Sequence, residues 1–223
     1  MNKFEDWFYN HKHKMKCYKW IHYFEIYEKH FSRFLDKENV RVLEIGVYNG
    51  GSLEMWDYYF DGKATVVGLD INPDCLDLQK NFNDNVIIEL GDQAKPPFWE
   101  DFKERHEPFD IIIDDGGHWM NQQEVTFDQM FDHLKEDGVF LVEDTHTSYF
   151  ENFGGGIKKE NTFIEKSKDL IDSLHVHFFK KGNPEIGNPK RIDFHSKTKS
   201  ISFYDSVVVF EKGKQILPEA KNI

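Results

Sequence analysis

The chain has 223 residues, of which 39% are hydrophobic, and its 28 basic against 40 acidic residues give a formal net charge of −12. This length suits one α/β domain with additions, and the acidic balance excludes nucleic acid as the expected partner. No apolar run approaches the ~20 residues that a membrane helix needs, and the opening MNKFEDWFYN lacks the pattern of a secretory signal. We therefore expect a cytoplasmic protein that does not bind a membrane.

Residues 1–36 are predicted to form a helical N-terminal extension or lid, and residues 37–223 a single globular unit. Large apolar side chains recur at helical intervals before the first strand, at Tyr18, Ile21, Tyr23, Phe24, Tyr27, Phe31 and Phe34. Packing against a sheet edge is the favoured interpretation, although His22, Tyr23 and Tyr27 could instead cover a ligand. The nearby lysines are interpreted as a solvated helix face: Lys12, Lys14, Lys16 and Lys19.

The segment from Val40 to Ser52, VRVLEIGVYNGGS, organises the rest of the chain. Its apolar run is typical of a buried strand, and the glycines Gly46, Gly50 and Gly51 predict a turn that leads into a helix. Glycine permits positive φ and lets a ligand approach the backbone without a Cβ in the way. The helix offers free N–H groups in its first turn, so this segment is a candidate ligand site.

Four further strands alternate with helices along the chain. They are predicted at 64–69, 86–90, 109–113 and 139–142. Asn72-Pro73 is interpreted as a helix N-cap followed by proline at the first helical position. Toward the C-terminus the sequence predicts loops at 149–157 and 183–190, a helix at 163–174, a strand at 175–179 and a final strand or bent strand pair at 201–210.

Almost wholly apolar strands that alternate with helices predict a doubly wound, mostly parallel α/β sheet. In such folds ligands bind beyond the carboxyl ends of the strands. Acidic residues stand at each of those ends, at Glu44, Asp70, Asp92, Asp115 and Glu143-Asp144. Asp70 follows the glycine turn by about 20 residues and is placed to bind both hydroxyls of a ribose. The glycines do not match G-x-G-x-x-G, which counts against a nicotinamide cofactor.

Two groups of motifs carry a resemblance to known families. Glu44-Ile45-Gly46-x-x-x-Gly50-Gly51-Ser52, with Asp70 and Gly91-Asp92, resembles the cofactor site of class I S-adenosylmethionine-dependent methyltransferases. Asp114-Asp115-Gly116-Gly117-His118 and Val142-Glu143-Asp144-Thr145-His146 resemble the metal-dependent sugar O-methyltransferases of macrolide biosynthesis, the mycinamicin type. The similarity extends from about His22 through Lys212 and covers only the catalytic domain of that family.

The resemblance implies a Rossmann-like methyltransferase domain in which Asp115, Glu143 and Asp144 bind Mg²⁺ and His118 is the general base. It places the cofactor contacts at the glycine turn and the strand ends, namely Glu44, Gly46, Gly50, Ser52, Asp70, Asp92 and Asp114. Only one of two adjacent carboxylates usually faces a site, so a structural role is also expected for Asp114, either capping its loop or bonding the loop backbone. Independently, three carboxylates at the ends of strands ~4.8 Å apart would repel one another, and a hard divalent cation relieves that repulsion.

The expected activity is methyl transfer from S-adenosylmethionine to a sugar hydroxyl of a glycan, nucleotide sugar or natural-product glycoside, in polysaccharide or antibiotic biosynthesis. A metal gripping two neighbouring hydroxyls would orient the acceptor, and His118 would take the proton. Two alternatives are left open: a metal-independent small-molecule methyltransferase, and a non-catalytic module that binds S-adenosylmethionine. The sequence does not determine the acceptor, or whether the protein is a monomer or a homo-oligomer.

Overall fold

The computed structural model describes residues 1–216 and 218–221, and a seven-stranded sheet forms its centre. The strands are β1 (Arg41–Ile45), β2 (Thr65–Asp70), β3 (Val86–Leu90), β4 (Phe109–Asp114), β5 (Leu134–Val142), β6 (Thr198–Tyr204) and β7 (Val207–Lys212). Their order in the sheet is β3-β2-β1-β4-β5-β7-β6, with β1 to β5 parallel and β7 antiparallel to both of its neighbours. The predicted doubly wound, mostly parallel sheet is therefore confirmed.

Helices cover both faces of this sheet. The α-helices are α1 (Lys3–Asn10), α2 (Tyr23–Phe31), α3 (Gly51–Tyr59), α4 (Pro96–Arg105), α5 (Met120–Met130), α6 (Phe163–Leu174) and α7 (Pro189–Lys197). Shorter 3-10 helices lie at Ser32–Phe34, Pro73–Asn81, Thr145–Tyr149, Glu151–Phe153 and Val176–Phe178. Asn72 caps the Pro73–Asn81 helix as predicted, because its side chain accepts a hydrogen bond from the Asp74 N–H at 3.1 Å.

Alternate residues of the central strands pack into two separate hydrophobic cores, because successive side chains of a strand point to opposite faces of the sheet. Val42 of β1 packs with α1, α2 and α3 on one face, whereas Leu43 packs with α4, α5 and α6 on the other. Both side chains are fully buried. A strand that is buried on both faces is mostly apolar, which explains the nearly continuous apolar runs of the sequence. The buried acids Glu44 of β1 and Asp110 of β4 are exceptions.

The N-terminal residues are part of the first core. Phe4 and Trp7 of α1 are fully buried, and the Phe4 ring stacks on Tyr59 of α3 with 3.9 Å between ring centroids. Residues 11–22, which we call the strap, join α1 to α2 without forming a helix. The helical spacing of the aromatics therefore holds for α2 and ends at the strap.

Two C-terminal predictions differ from the structure. The strand predicted at 175–179 is wrong, because this stretch contains the 3-10 helix Val176–Phe178 and joins no strand. The loop predicted at 183–190 is cut short by α7, which begins at Pro189 with Asn188 as its N-cap. The final strand pair is a hairpin of β6 and β7. Among the described residues, no helix combines the length and apolarity that crossing a bilayer requires.

Candidate active site

The site lies where the strand order reverses, beyond the carboxyl ends of β1, β4 and β5. Two adjoining cavities open there. The first, of about 490 Å³, is lined by the strap and by residues that include His118, Glu143 and Asp144. The second, of about 590 Å³, runs toward Asp70 and Asp92 at the ends of β2 and β3.

The glycine turn after β1 leaves room for the chain's own backbone. Gly46 has a φ of +97°, and a Cβ there would overlap the carbonyl oxygen of Asp115 in the neighbouring loop. A Cβ on Gly50 would lie 2.6 Å from Met15 Sδ, and one on Gly51 would overlap the carbonyl oxygen of Lys16. The turn thus brings β1, the loop after β4 and the strap into close contact. Gly46 also lines both cavities, so it still borders the predicted cofactor site.

Asp70 lies between the glycine turn and the second cavity, where its carboxylate accepts hydrogen bonds from the backbone. Its Oδ2 accepts hydrogen bonds from the N–H groups of Val47 and Tyr48 at 2.9 and 3.0 Å, and its Oδ1 accepts one from Asn72 at 2.9 Å. Partial burial raises the pKa of Asp70, but the three backbone donors outweigh burial and hold the pKa below its ordinary value. Asp70 is therefore a fixed carboxylate at the rim of this cavity.

A buried cluster of carboxylates lies beneath the first cavity, and Lys19 of the strap inserts its ammonium into it. Lys19 Nζ lies 2.6 Å from Asp115 Oδ2, 2.9 and 3.0 Å from the two oxygens of Glu143, and 3.5 Å from Glu44 Oε1. The Lys19 side chain is only 3% exposed. Glu44 also accepts a hydrogen bond from Ser52 Oγ, and Glu143 accepts one from the Tyr27 hydroxyl, each at 2.6 Å.

One ammonium faces three carboxylates in this cluster, and the pKa values of two of them, Glu44 and Glu143, are raised. Burial lowers the pKa of Lys19, but Asp115 and Glu143 outweigh it and raise that pKa well above its ordinary value. Burial raises the pKa of Glu44 to about 7 despite the nearby ammonium. Burial and the charge of Asp115 together raise the pKa of Glu143 well above its ordinary value. The cluster can therefore accept further positive charge.

His118 lies at the mouth of this cluster. Its Nε2 is 3.4 Å from Asp144 Oδ2 and 3.9 Å from Asp115 Oδ1. One ligand atom from each of these three residues lies within 4.8 Å of the other two. The Asp144 carboxylate also accepts a hydrogen bond from the Tyr23 hydroxyl at 2.7 Å.

This donor set fits a hard divalent cation. Asp115 and Asp144 offer carboxylate oxygens, which Mg²⁺ prefers, and both residues line the first cavity. Both oxygens of Glu143, the third predicted ligand, bond to Lys19 and lie outside the group of three. Participation of Glu143 in metal binding therefore requires Lys19 to move.

The buried side-chain amide of Gln93 holds the loop from Asp114 to His118 by hydrogen bonds. Gln93 donates to Asp114 Oδ1 and to the Thr126 hydroxyl, each at 2.9 Å, and it accepts from the Gly117 N–H at 3.0 Å. Asp114 is fully buried and lines neither cavity, so it serves the loop rather than the cavity wall. The Gly116 N–H also donates to Asp114 Oδ1 at 3.4 Å, which is a contact with the backbone of its own loop. The predicted cofactor contact of Asp114 stays a prediction.

Of the remaining predicted cofactor residues, two line a cavity and two do not. Ser52 lines the first cavity and Asp92 the second, whereas Glu44 and Gly50 line neither of them.

The interpretation of Lys19 as part of a solvated helix face is wrong, because it is buried in the acid cluster and the strap is not helical. The sequence signal that could have predicted its burial is its position in a run of apolar residues, CYKWI. Gln93 followed the predicted Asp92 by one residue and was also missed.

The sequence is similar to a known protein family and to several curated proteins. A family model described as "Methyltransferase domain" matches residues 18–183. Demethylmacrocin O-methyltransferase of Streptomyces fradiae is 35% identical over 169 residues, which cover 70% of this chain and 41% of that protein. Mycinamicin VI 2''-O-methyltransferase of Micromonospora griseorubida is 32% identical over 201 residues, which cover 84% of this chain and 47% of that protein. The chain spans about half the length of the curated relatives it matches.

Comparison with solved structures also finds a methyltransferase. The MycE methyltransferase from the mycinamycin biosynthetic pathway, in complex with Mg and SAH, matches with a TM-score of 0.75 and 30% identity, over 88% of this chain and 51% of that one. A further structure of that enzyme contains Mg, SAH and Mycinamycin VI. These matches confirm the resemblance to the sugar O-methyltransferases and the Rossmann-like class I fold.

Proposed function

Because the chain belongs to the methyltransferase-domain family, we propose that it transfers a methyl group from S-adenosylmethionine to a sugar hydroxyl, with His118 as the base and Mg²⁺ bound beside it. The acceptor sugar belongs to a glycosylated natural product. The names of the relatives support that acceptor class, since they include enzymes of demethylmacrocin and mycinamicin VI methylation. The neighbouring structure with Mg, SAH and Mycinamycin VI supports the same set of ligands.

The observation that carries this proposal is the meeting of the two cavities. Both are lined by Gly46, Tyr48, Asn49, Asp115 and Gly116. The second cavity reaches the carboxylate of Asp70, which suits the ribose of an adenosyl group. The first reaches His118 and the acid cluster, which suits an acceptor hydroxyl. A methyl donor in one cavity and an acceptor in the other would meet at their common wall.

The residues of this chain divide the work as follows. Asp70 holds the ribose, Asp92 lies toward the adenine, and the glycine turn borders the amino-acid end of the donor. Asp115 and Asp144 hold the metal ion, and Glu143 joins them when it is free of Lys19. When bound, Mg²⁺ acts as a Lewis acid that orients an acceptor diol and lowers the pKa of its hydroxyl.

His118 Nε2 takes the acceptor's proton as the new C–O bond forms and the C–S bond of the sulfonium breaks. The resulting imidazolium is stabilised by Asp144, which lies 3.4 Å from Nε2. The donor methyl is already activated by its sulfonium, so alignment and proton removal are the tasks left to the protein.

A metal-independent methyltransferase is the second candidate. Lys19 favours it, because an ammonium already lies against Asp115 and Glu143. In that case the acid cluster would stabilise the fold and the strap, and His118 alone would assist the acceptor.

Transfer of a radiolabelled methyl group to desmethyl macrolide glycosides tests both candidates. We expect transfer in the presence of Mg²⁺ and its loss when a chelator is added, with recovery when Mg²⁺ is restored. Transfer that survives excess chelator would favour the metal-independent candidate. The absence of transfer to any glycoside, with intact binding of S-adenosylhomocysteine, would contradict the acceptor class.

A further inference from the structure

Lys19 is a buried cation for which the proposed reaction has no step. Its side chain is 3% exposed, although it belongs to a strap whose other lysines, Lys12, Lys14 and Lys16, are exposed. Burying an ammonium is costly unless it is paired, and the Asp115 and Glu143 carboxylates supply the pairing here.

The ammonium occupies the oxygens that a divalent cation would use if Glu143 were its third carboxylate ligand, beside the Asp115 and Asp144 carboxylates. Nζ lies 2.6 Å from Asp115 Oδ2 and within 3.0 Å of both oxygens of Glu143. Mg²⁺ binds carboxylate oxygens at about 2.1 Å. A metal ion on these oxygens would share one small, buried volume with the ammonium, where the repulsion between two cations is weakly screened. Only one of them can occupy the position between Asp115 and Glu143.

Lys19 also fastens the strap to the site. Elsewhere the strap is held by exposed or half-buried contacts, such as those of the Lys14 and Met15 N–H groups with the Glu54 carboxylate at 3.1 Å. The aromatic neighbours of Lys19, Tyr18 and Trp20, are 79% and 48% exposed. Withdrawal of the Lys19 side chain would therefore remove the strap's deepest anchor above the first cavity.

We propose that the Lys19 ammonium and a divalent cation are alternative occupants of the position between Asp115 and Glu143, and that binding of the cation releases Lys19 and loosens the strap. Lys19 is then a positioning residue: it keeps the carboxylates assembled before the metal ion arrives. The exchange frees Glu143 to become the third carboxylate ligand. It also opens the roof of the first cavity, through which the acceptor enters. This inference rests on the metal ion of the proposed function.

Amine labelling of the unaltered protein tests the exchange without a mutation. Trace acetylation followed by mass spectrometry should find Lys19 protected in metal-free protein and at least tenfold more reactive at saturating Mg²⁺, by the loss of its buried pairing. Exposed Lys12 is the internal control and should react equally in both conditions. Continued protection of Lys19, in protein that calorimetry finds saturated with Mg²⁺, would overturn the proposal.

Calorimetric titration of Mg²⁺ into a Lys19→Met variant gives the second test, with Lys12→Met as the matched control. An occupant present for more than about nine-tenths of the time weakens apparent affinity by the inverse of the free fraction. Lys19→Met should therefore bind Mg²⁺ more tightly by a factor of about ten or more, and the control should match the wild type. Equal or weaker binding by Lys19→Met would overturn the exchange alone. No binding to any of the three proteins would overturn the metal assignment in the proposed function as well.

Discussion

His118 has a backbone φ of +59°, in the left-handed region that residues with a Cβ rarely adopt. Two contacts hold it there: the Thr147 hydroxyl donates to the His118 carbonyl at 2.9 Å, and the Gly117 N–H donates to Gln93 at 3.0 Å. Asp144, its partner, has a φ of +52°. Strain of this kind concentrates at functional sites, where the surrounding structure maintains it. The side chains that meet in the site are thus positioned by the backbone of two strained loops.

Replacement of His118 by Asn should abolish most methyl transfer and leave cofactor affinity intact. General base catalysis contributes about 10²- to 10⁴-fold, so we expect a loss of turnover in that range. Asn tolerates a left-handed backbone better than most residues, which limits damage to the fold. Steady-state kinetics and titration with S-adenosylhomocysteine measure the two effects separately. Loss of S-adenosylhomocysteine binding in parallel with turnover would make His118 a structural residue.

Replacement of Asp70 by Asn should weaken binding of S-adenosylhomocysteine. The carboxylate accepts three backbone hydrogen bonds and borders the second cavity, and an amide offers only one acceptor atom. Loss of a hydrogen bond from a ribose hydroxyl to the charged carboxylate costs about 1.5–3 kcal/mol, which corresponds to roughly 10- to 100-fold in Kd. Asp84→Asn, an exposed change of the same charge, is the control. Equal affinities of the two variants would contradict the ribose assignment.

At the scale of elements, the first turn of α3 and the strap are fitted to each other. Gly51 begins α3, and its missing Cβ leaves the space that the Lys16 carbonyl occupies. Glu54, one turn further along, accepts hydrogen bonds from two strap N–H groups. One helix end therefore determines where the strap crosses the site, and its glycine is needed for the strap as much as for a ligand.

Gly51→Ala should displace the strap and leave α3 in place, since Ala favours a helix more than Gly does. Hydrogen exchange should rise at residues 11–20 and stay unchanged in α3. Gly213→Ala is the matched control, because a Cβ there would make only an ordinary contact, 3.5 Å from Lys199. Unchanged protection of the strap in Gly51→Ala would refute this account of the glycine.

A second contact between elements predicts how stability depends on pH. Glu211 of β7 bonds to Arg33 at 2.7 Å, Ser200 at 2.7 Å and His30 at 3.3 Å. The His30 hydrogen bond, with those from Ser200 and Arg33, outweighs burial and lowers the pKa of Glu211 below its ordinary value of 4.5. A carboxylate with a lowered folded pKa stabilises the protein above its unfolded pKa, and this stabilisation is lost as the pH falls.

Glu211→Gln should therefore be less stable than wild type by about 1–2 kcal/mol at pH 7. The gap should shrink as the pH falls below about 4.5, where the unfolded chain begins to take up the proton. Urea unfolding of both proteins at several pH values measures it. A gap that is constant from neutral to acid pH would mean that packing, rather than charge, accounts for the loss.

Sequence patterns predicted the elements whose signals are local. Asn72-Pro73 identified a helix start, and the glycine turn identified the start of α3 to within one residue. Asn188-Pro189 carries the same signal as Asn72-Pro73, but its surroundings, rich in Pro and Gly, favoured a loop and hid α7. The insertion of Lys19 was not predictable from spacing, because it depends on contacts with residues 96 and 124 positions away.

At the scale of the whole molecule, the sheet order brings distant residues to one edge. β1 lies between β2 and β4, so the glycine turn adjoins both Asp70 and the loop that ends in His118. The acids at the strand ends could be predicted to converge from the parallel topology alone. Which of them face a cavity could not, because that depends on side-chain pairing: Asp114 bonds to Gln93, and Glu44 bonds to Ser52.

The most direct test of the whole account is a calorimetric titration of the purified protein with S-adenosylhomocysteine, with NAD as the comparison ligand and with Mg²⁺ present or chelated. We predict micromolar binding of S-adenosylhomocysteine and no binding of NAD, because Asp70 and the glycine turn form an adenosyl site without the dinucleotide fingerprint. Chelation should leave this binding nearly unchanged, since Glu143 and Asp144 line the first cavity and not the second, and Asp115 is the member of the acid cluster that borders both. No binding of S-adenosylhomocysteine under either condition would contradict the proposed methyltransferase activity.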